Sequence, residues 1–149
     1  MSKKFEYAYE ANGFSATGRR VPDVPIVIVK LARLDKPIVA RGPAVVDTGF
    51  DGGIYPNVKI ALFLEGLKPS LSEYLDHPYL GRVSCEVYEV QGSLAHSKAE
   101  LPLGNVYVYT PTEPQYLTEE VLVGREILNK LKIALNGYKV TVNSDSVEK

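Results

Sequence analysis

Short apolar segments rich in Val and Ile recur along the chain, and residues typical of turns separate them. Segments of this length and composition, bounded by Gly, Pro, Asn or Asp, are typical of β-strands. Few segments have the spacing of a helical face. The pattern therefore predicts a mostly β fold with two or three short helices. The predicted strands are residues 26–31, 38–46, 83–90, 94–101, 105–110, 121–123, 132–135 and 138–142, and the predicted helices are 56–66, 70–75 and 125–131.

Two turn signals indicate where paired strands meet. Asn136-Gly137 lies between two predicted strands, and both residue types accept positive φ, so this dipeptide predicts a hairpin. Gln91-Gly92-Ser93 separates residues 83–90 from residues 94–101 and is predicted to be a second turn.

Composition limits the class of protein. A chain of 149 residues has the usual size of one domain, and 45% apolar with 23% charged residues is ordinary globular usage. The 17 basic and 18 acidic residues nearly cancel, which gives no electrostatic case for nucleic acid or an anionic membrane as a partner. We therefore expect a single domain spanning residues 1–149.

The expected compartment is the cytoplasm. Cys85 is the only cysteine, so no disulfide can form within the chain. Lys3 and Lys4 are followed by Glu6 and not by an apolar run, so no signal peptide is predicted. The longest apolar runs are too short to span a bilayer.

Metal and nucleophile chemistry find little support in the sequence. His77 and His96 are the only histidines, and no Cys or acidic cluster gives either one metal-ligand spacing. Ser93 is not in a Gly-x-Ser-x-Gly context, and Cys85 lies within a predicted strand. No metal and no cofactor are therefore expected.

The tripeptide Asp47-Thr48-Gly49 is the segment that carries chemistry. It follows the apolar residues Ala44-Val45-Val46, and alone it is equally consistent with an ordinary hairpin turn. A second apolar run, Val121-Leu122-Val123, leads into Gly124-Arg125 and a predicted short helix.

Together, the two segments resemble the retroviral-type (retropepsin-like, clan AA) aspartic proteases. In that family an apolar strand leads into Asp-Thr-Gly, and a second apolar strand ends in Gly, often followed by Arg. Phe50 after the tripeptide is common in the small cytoplasmic members of prokaryotes. The resemblance implies a mostly β, closed acid-protease barrel with one or two short helices. It leaves about the first 20 residues as an arm or a dimer contact.

The resemblance implies roles for individual residues. Asp47 would be the catalytic carboxylate, Thr48 would hydrogen-bond across a two-fold axis, and Gly49 would admit water and substrate. Leu122, Val123 and Gly124 would support the active site.

Two further roles follow from the resemblance and have simpler alternatives. Asp51 and Arg125 would form an ion pair that braces the catalytic loop; alternatively, each is a solvated charge. Gln91, Gly92 and Ser93 would form the tip of a flap that closes over the substrate; alternatively, they form an ordinary turn.

One catalytic motif per chain has a consequence for assembly. Two crowded carboxylates cannot both ionise, so they share a proton and together activate a water. The second carboxylate must come from another copy of Asp47, which predicts a homodimer acting on a peptide or protein substrate. The alternative is a catalytically weak dimer of the same fold that binds peptides without significant turnover.

Overall fold

The strands of the computed structural model, which describes residues 4–77 and 80–143, fall into two sheets. The α-helices are α1 (Val58–Phe63) and α2 (Arg125–Leu128), and a 3-10 turn covers Pro114–Tyr116. The predictions of a mostly β fold with short helices are confirmed. The strands are β1 (Lys4–Ala8), β2 (Ile26–Ala32), β3 (Val39–Val46), β4 (Ile54–Tyr55), β5 (Leu71–His77), β6 (Gly81–His96), β7 (Ala99–Pro111), β8 (Val121–Val123), β9 (Lys132–Leu135) and β10 (Lys139–Asn143).

The larger sheet closes on itself. Its order is β2-β3-β8-β4-β7-β6-β5, and an additional pairing of β2 with β6 completes a ring of six strands. Closure removes free edges from those six strands, and β5 remains outside the ring, paired with β6. Inward positions alternate along β2, where Val27, Val29 and Leu31 are buried. The predicted closed barrel is thus confirmed.

The smaller sheet has the order β1-β10-β9. Lys4 pairs with Asn143 and Ala8 with Lys139, so β1 of the predicted N-terminal arm is held by a strand of its own chain. The predicted hairpin turn at Asn136-Gly137 connects β9 to β10, and Gly137 has a φ of 97°. The Asn136 side chain accepts the backbone N–H of Lys139 at 2.8 Å.

Helix α1 agrees with the predicted helical segment between Pro56 and Gly66. The Asn57 side chain accepts the N–H of Ile60 at 3.0 Å and so caps the first turn. Ile60 and Phe63 are buried against the core. No helix in the described ranges is long and apolar enough to cross a membrane.

Two predictions of local structure are wrong. Residues 70–75, predicted to be helical, belong to the exposed strand β5. Residues Gln91, Gly92 and Ser93, predicted to be a turn and the tip of a flap, lie inside the continuous strand β6. Gly92 and Ser93 mark a register shift against β7, and β2 pairs with the same residues. The chain reverses between His96 and Ala99 instead, where Ser97 has a φ of 55°.

Candidate active site

The two apolar segments selected from the sequence are neighbouring strands. β3 and β8 run parallel, with Val45 beside Leu122 and Val46 beside Val123. The backbone N–H of Asp47 continues this pairing by donating to the carbonyl of Val123 at 3.0 Å. The loop of Asp47 therefore begins where these two barrel strands end.

The loop holds the Asp47 carboxylate in a fixed position. Its Oδ1 accepts the backbone N–H of Gly49 at 2.9 Å, and its carbonyl accepts the N–H of Phe50 at 3.2 Å. Asp47 is half-buried, whereas Thr48 and Gly49 are exposed. Among the described residues, none forms a hydrogen bond with the Thr48 hydroxyl. The tripeptide thus presents a carboxylate and a hydroxyl to its surroundings.

Helix α2 braces this loop through its backbone. The N–H groups of Gly124, Arg125 and Glu126 donate to the carbonyls of Gly53, Phe50 and Gly52 at 2.8, 2.9 and 3.1 Å. The first N–H groups of a helix have no partner within the helix, and here the loop supplies acceptors for them. This arrangement anchors the loop to the residues that follow β8.

Gly124 is required by the closeness of these backbones. A Cβ at this position would lie 2.3 Å from the Gly52 carbonyl oxygen and 2.6 Å from that of Phe50. Contacts of this kind do not occur in folded proteins, and neither partner is a flexible side-chain end. Gly124 therefore lets α2 start close enough to hold the loop.

The predicted ion pair between Asp51 and Arg125 is absent, although the structure describes both residues. Both residues are exposed, and an exposed pair gains little from contact in water. The bond from the Arg125 backbone to Phe50 supplies the contact between loop and helix that the side chain was expected to make.

Two tyrosines, Tyr55 and Tyr109, hold Phe50 in place. Phe50 is buried, with edge-to-face contacts to Tyr55 and Tyr109 at ring-centre distances of 5.9 and 6.0 Å. The Tyr109 hydroxyl donates to the Glu126 carboxylate at 2.6 Å. Burial, and next this hydrogen bond, raise the pKa of Tyr109, so the hydroxyl stays a donor at neutral pH.

Tyr55, the other ring in contact with Phe50, also makes a hydrogen bond through its hydroxyl. Its hydroxyl donates to the carbonyl of Tyr116 at 2.6 Å, and burial raises the pKa of Tyr55 to about 12. The sequence carried no signal for these contacts beyond the abundance of tyrosine.

A cavity of about 300 Å³ opens beside Asp47. The hairpin of β5 and β6 supplies part of its wall, and apolar side chains dominate its lining. Gln91, Gly92 and Ser93 line a different cavity, together with Lys30 and Glu100, so the residues predicted as the flap do not face Asp47. The cavity beside Asp47 is lined by Asp47, Gly49, Phe50, Asp51, Tyr55, Leu75, Asp76, His77, Leu80, Val83, Tyr116, Thr118 and Leu122.

Three carboxylic acids, Asp47, Asp51 and Asp76, line this cavity. Within residues 4–77 and 80–143, no group of three or more His, Cys, Asp or Glu side chains is placed to hold a metal ion. Asp47 is the one acid of the cavity that belongs to the loop tripeptide and accepts a backbone N–H from it.

The closed barrel, with two parallel strands ending in the Asp47 loop and a helix start, is the acid-protease fold of the retropepsin-like class. One solved structure with this architecture is a retropepsin-like aspartic protease from Rickettsia conorii. It superposes with a TM-score of 0.52 over 96% of this chain and 93% of that one, at 14% identity. At this identity the similarity shows the fold alone. No protein-family model matches the sequence, and no curated protein matches it either.

Proposed function

We propose that the protein is a homodimeric aspartic endopeptidase that hydrolyses peptide bonds with a water activated by two symmetry-related Asp47 carboxylates. The observation that carries this proposal is the position of the Asp47 carboxylate. It is held by the Gly49 N–H at the end of two paired barrel strands and lines a largely apolar cavity. The retropepsin-like fold agrees with this use.

The proposed chemistry needs two copies of the loop. One ionised Asp47 accepts a proton from the water, and the protonated Asp47 of the second copy donates to the scissile carbonyl oxygen. The water oxygen bonds to the carbonyl carbon, and a proton delivered to the departing nitrogen completes cleavage. Because the two acids interact strongly, the pair titrates as a unit.

The neighbours of Asp47 take supporting roles in this proposal. Exposed Thr48 is available to hydrogen-bond to the partner's loop across the two-fold axis. Gly49, also exposed, leaves room for water and for the substrate backbone. Phe50 and the N–H groups of α2 fix the loop that carries these residues.

The substrate would be an extended peptide or protein segment with an apolar side chain in the cavity beside Asp47. Leu75, Leu80, Val83 and Leu122 provide apolar walls for it. Because Leu75 and Val83 pair across the β5–β6 hairpin, we assign to this hairpin the covering role predicted for Gln91-Gly92-Ser93. We also propose that the enzyme acts in the cytoplasm, because its single cysteine, Cys85, is buried and unpaired.

Cleavage of an unfolded protein across acidic and neutral pH tests the proposal. Wild type should cut it in a pepstatin-sensitive way. Asp47→Asn should abolish cleavage with the dimer intact, whereas Asp23→Asn at the surface should cut like wild type. Peptide binding by a wild-type dimer that cleaves nothing over the whole pH range would support the binding domain instead.

A further inference from the structure

The backbone of Gly52-Gly53 is enclosed by side chains from two other elements. A Cβ on Gly52 would lie 2.7 Å from the ring of Phe50 and 2.8 Å from the ring of Tyr109 on β7. A Cβ on Gly53 would lie 3.1 Å from the carboxylate of Glu126 on α2. The Tyr109 ring and the Glu126 carboxylate therefore lie against the backbone that follows Phe50.

One hydrogen bond joins these two side chains. The Tyr109 hydroxyl donates to the Glu126 carboxylate at 2.6 Å, and the backbone N–H of Glu126 donates to the Gly52 carbonyl at 3.1 Å. Among the residues that the structure describes, no other side-chain hydrogen bond or ion pair reaches α2. This Tyr109–Glu126 clamp therefore links a barrel strand to the start of α2 across the loop.

The clamp is connected to Asp47 through Phe50. The Phe50 ring contacts the Tyr109 ring edge-to-face at 6.0 Å, and the Phe50 backbone N–H donates to the Asp47 carbonyl at 3.2 Å. The Asp47 carboxylate in turn accepts the Gly49 N–H. A catalytic group works at its full rate only when its neighbours hold it close to the productive geometry. Without the clamp, Phe50 and the loop that carries Asp47 would be held less firmly.

The clamp lies outside the proposed substrate cavity. Neither Tyr109 nor Glu126 lines the cavity beside Asp47. Glu126 lines a separate cavity of about 230 Å³, together with Gly53 and Lys130. The clamp is therefore placed to affect the reacting carboxylate without contacting a side chain bound in the cavity.

We propose that Tyr109 and Glu126 are positioning residues, whose hydrogen bond holds the Asp47 carboxylate in its reactive orientation. This role rests on the proposed function, because it concerns a rate of cleavage that requires a catalytic Asp47. The clamp supplies the side-chain brace that was predicted for Asp51 and Arg125, two exposed residues that do not pair.

Steady-state kinetics of the full chain on a soluble peptide tests this role. Tyr109→Phe keeps the ring but not the bond, so kcat should fall about tenfold while KM stays within about twofold of wild type. Tyr88→Phe is the matched control and should behave like wild type, because Tyr88 is also half-buried and its hydroxyl bonds to no described residue. Circular dichroism at the assay temperature checks that both variants are folded. A raised KM at unchanged kcat, or the same kcat in both variants, would overturn the positioning role.

Variants of Glu126 separate positioning from packing. Glu126→Gln keeps an acceptor for the Tyr109 hydroxyl and should hold kcat within about threefold of wild type, whereas Glu126→Ala should lose about tenfold. The double variant Tyr109→Phe/Glu126→Ala should lose no more than either single variant, because both changes remove the same bond. Losses that multiply in the double variant would show two independent effects and refute the clamp.

Amide hydrogen exchange separates this role from the proposed function. The Gly49 N–H, which binds Asp47 Oδ1, should exchange at least about fivefold faster in Tyr109→Phe than in Tyr88→Phe. That result in a protein whose wild type cleaves nothing would keep the clamp as the device that positions Asp47 and reject the protease. Asp47-dependent cleavage, with kcat and Gly49 exchange unchanged in Tyr109→Phe, would keep the protease and reject the clamp.

Discussion

Replacing Gly124 with alanine should destabilise the protein and displace the loop of Asp47. The new Cβ would lie 2.3 Å from the Gly52 carbonyl oxygen and 2.6 Å from both the carbonyl oxygen and a ring carbon of Phe50. Since two of these three atoms belong to the backbone, the helix start and the loop must move apart to admit the methyl group.

The cost can be estimated from what that movement breaks. Overpacking of a filled site costs about 1–3 kcal/mol. Separation also weakens the hydrogen bonds from Gly124 and Arg125 to the loop, each worth about 1 kcal/mol net. We expect the free energy of unfolding to fall by about 3 kcal/mol, or the melting temperature by roughly 10 °C for a domain of this size.

Denaturant unfolding followed by circular dichroism, at one fixed protein concentration, measures this loss. Gly42→Ala is the matched control, because a Cβ there meets nothing within 4 Å. It should leave stability within about 0.5 kcal/mol of wild type or raise it slightly. If Gly124→Ala were as stable as Gly42→Ala, the close approach of α2 to the loop would be refuted.

Three further changes test other parts of the structure. Tyr109→Phe keeps the ring against Phe50 but loses the bond to Glu126, so unfolding should become easier by about 1 kcal/mol; an unchanged denaturation midpoint would contradict that bond. Cys85 should resist thiol reagents at pH 8 in the native protein and react once unfolded, because burial raises the pKa of its thiol to about 11; rapid native labelling would refute this. The hydrogen bonds from Arg33 lower the pKa of Asp35 below its usual value of 3.8. The stabilisation from ionised Asp35 is therefore present above pH 3.8 and is lost as the pH falls through the lowered pKa. Asp35→Asn should therefore be less stable than wild type at pH 7, and the gap in melting temperature should shrink below pH 3.8; a gap independent of pH would contradict the pairing.

Barrel strands and the surroundings of Asp47 could be predicted where local pattern and tertiary structure agree. Val121-Leu122-Val123 is apolar because β8 is a strand of the barrel that pairs with β3 on one side and β4 on the other. Gly124, which follows β8, is a position where two backbone segments approach closely. Both properties can be recognised in the sequence, because a buried strand needs apolar residues and a close approach of two backbones needs glycine.

At Gln91-Gly92-Ser93 the local pattern and the tertiary structure disagree, because these residues lie inside strand β6. Gly92 is typical of a turn by residue type, but in the structure it is a close-approach position, because a Cβ there would lie 2.9 Å from the side chain of Val106 on β7. A glycine inside a strand often marks a bulge or a close approach, and a sequence alone does not distinguish this from a turn. The actual reversal at Ser97-Lys98 lacks Gly, Pro and Asn, so nothing marked it.

Strand β5 and the missing ion pair have a related cause. Ser70 and Glu73 have the spacing of a capping box, which favours a helix over residues 70–75. Pairing with β6 over the length of β5 outweighs that local preference. The pairing of Asp51 with Arg125 came from resemblance, and the backbone of Arg125 makes the contact with the loop in its place. In both cases the partner that a segment or residue pairs with depends on the folded barrel and not on the local sequence.

The pairing of Lys4 with Asn143 sets the two extremities of the described chain directly across a strand pair. Opposite backbones in such a pair lie only about 5 Å apart, so a linker of a few residues can join them. The cyclised chain can then be opened between Ser97 and Lys98, in the exposed turn between β6 and β7. Such a circular permutant would leave the described strands and the Asp47 loop in place, so the order of elements along the chain is separable from the architecture that they build.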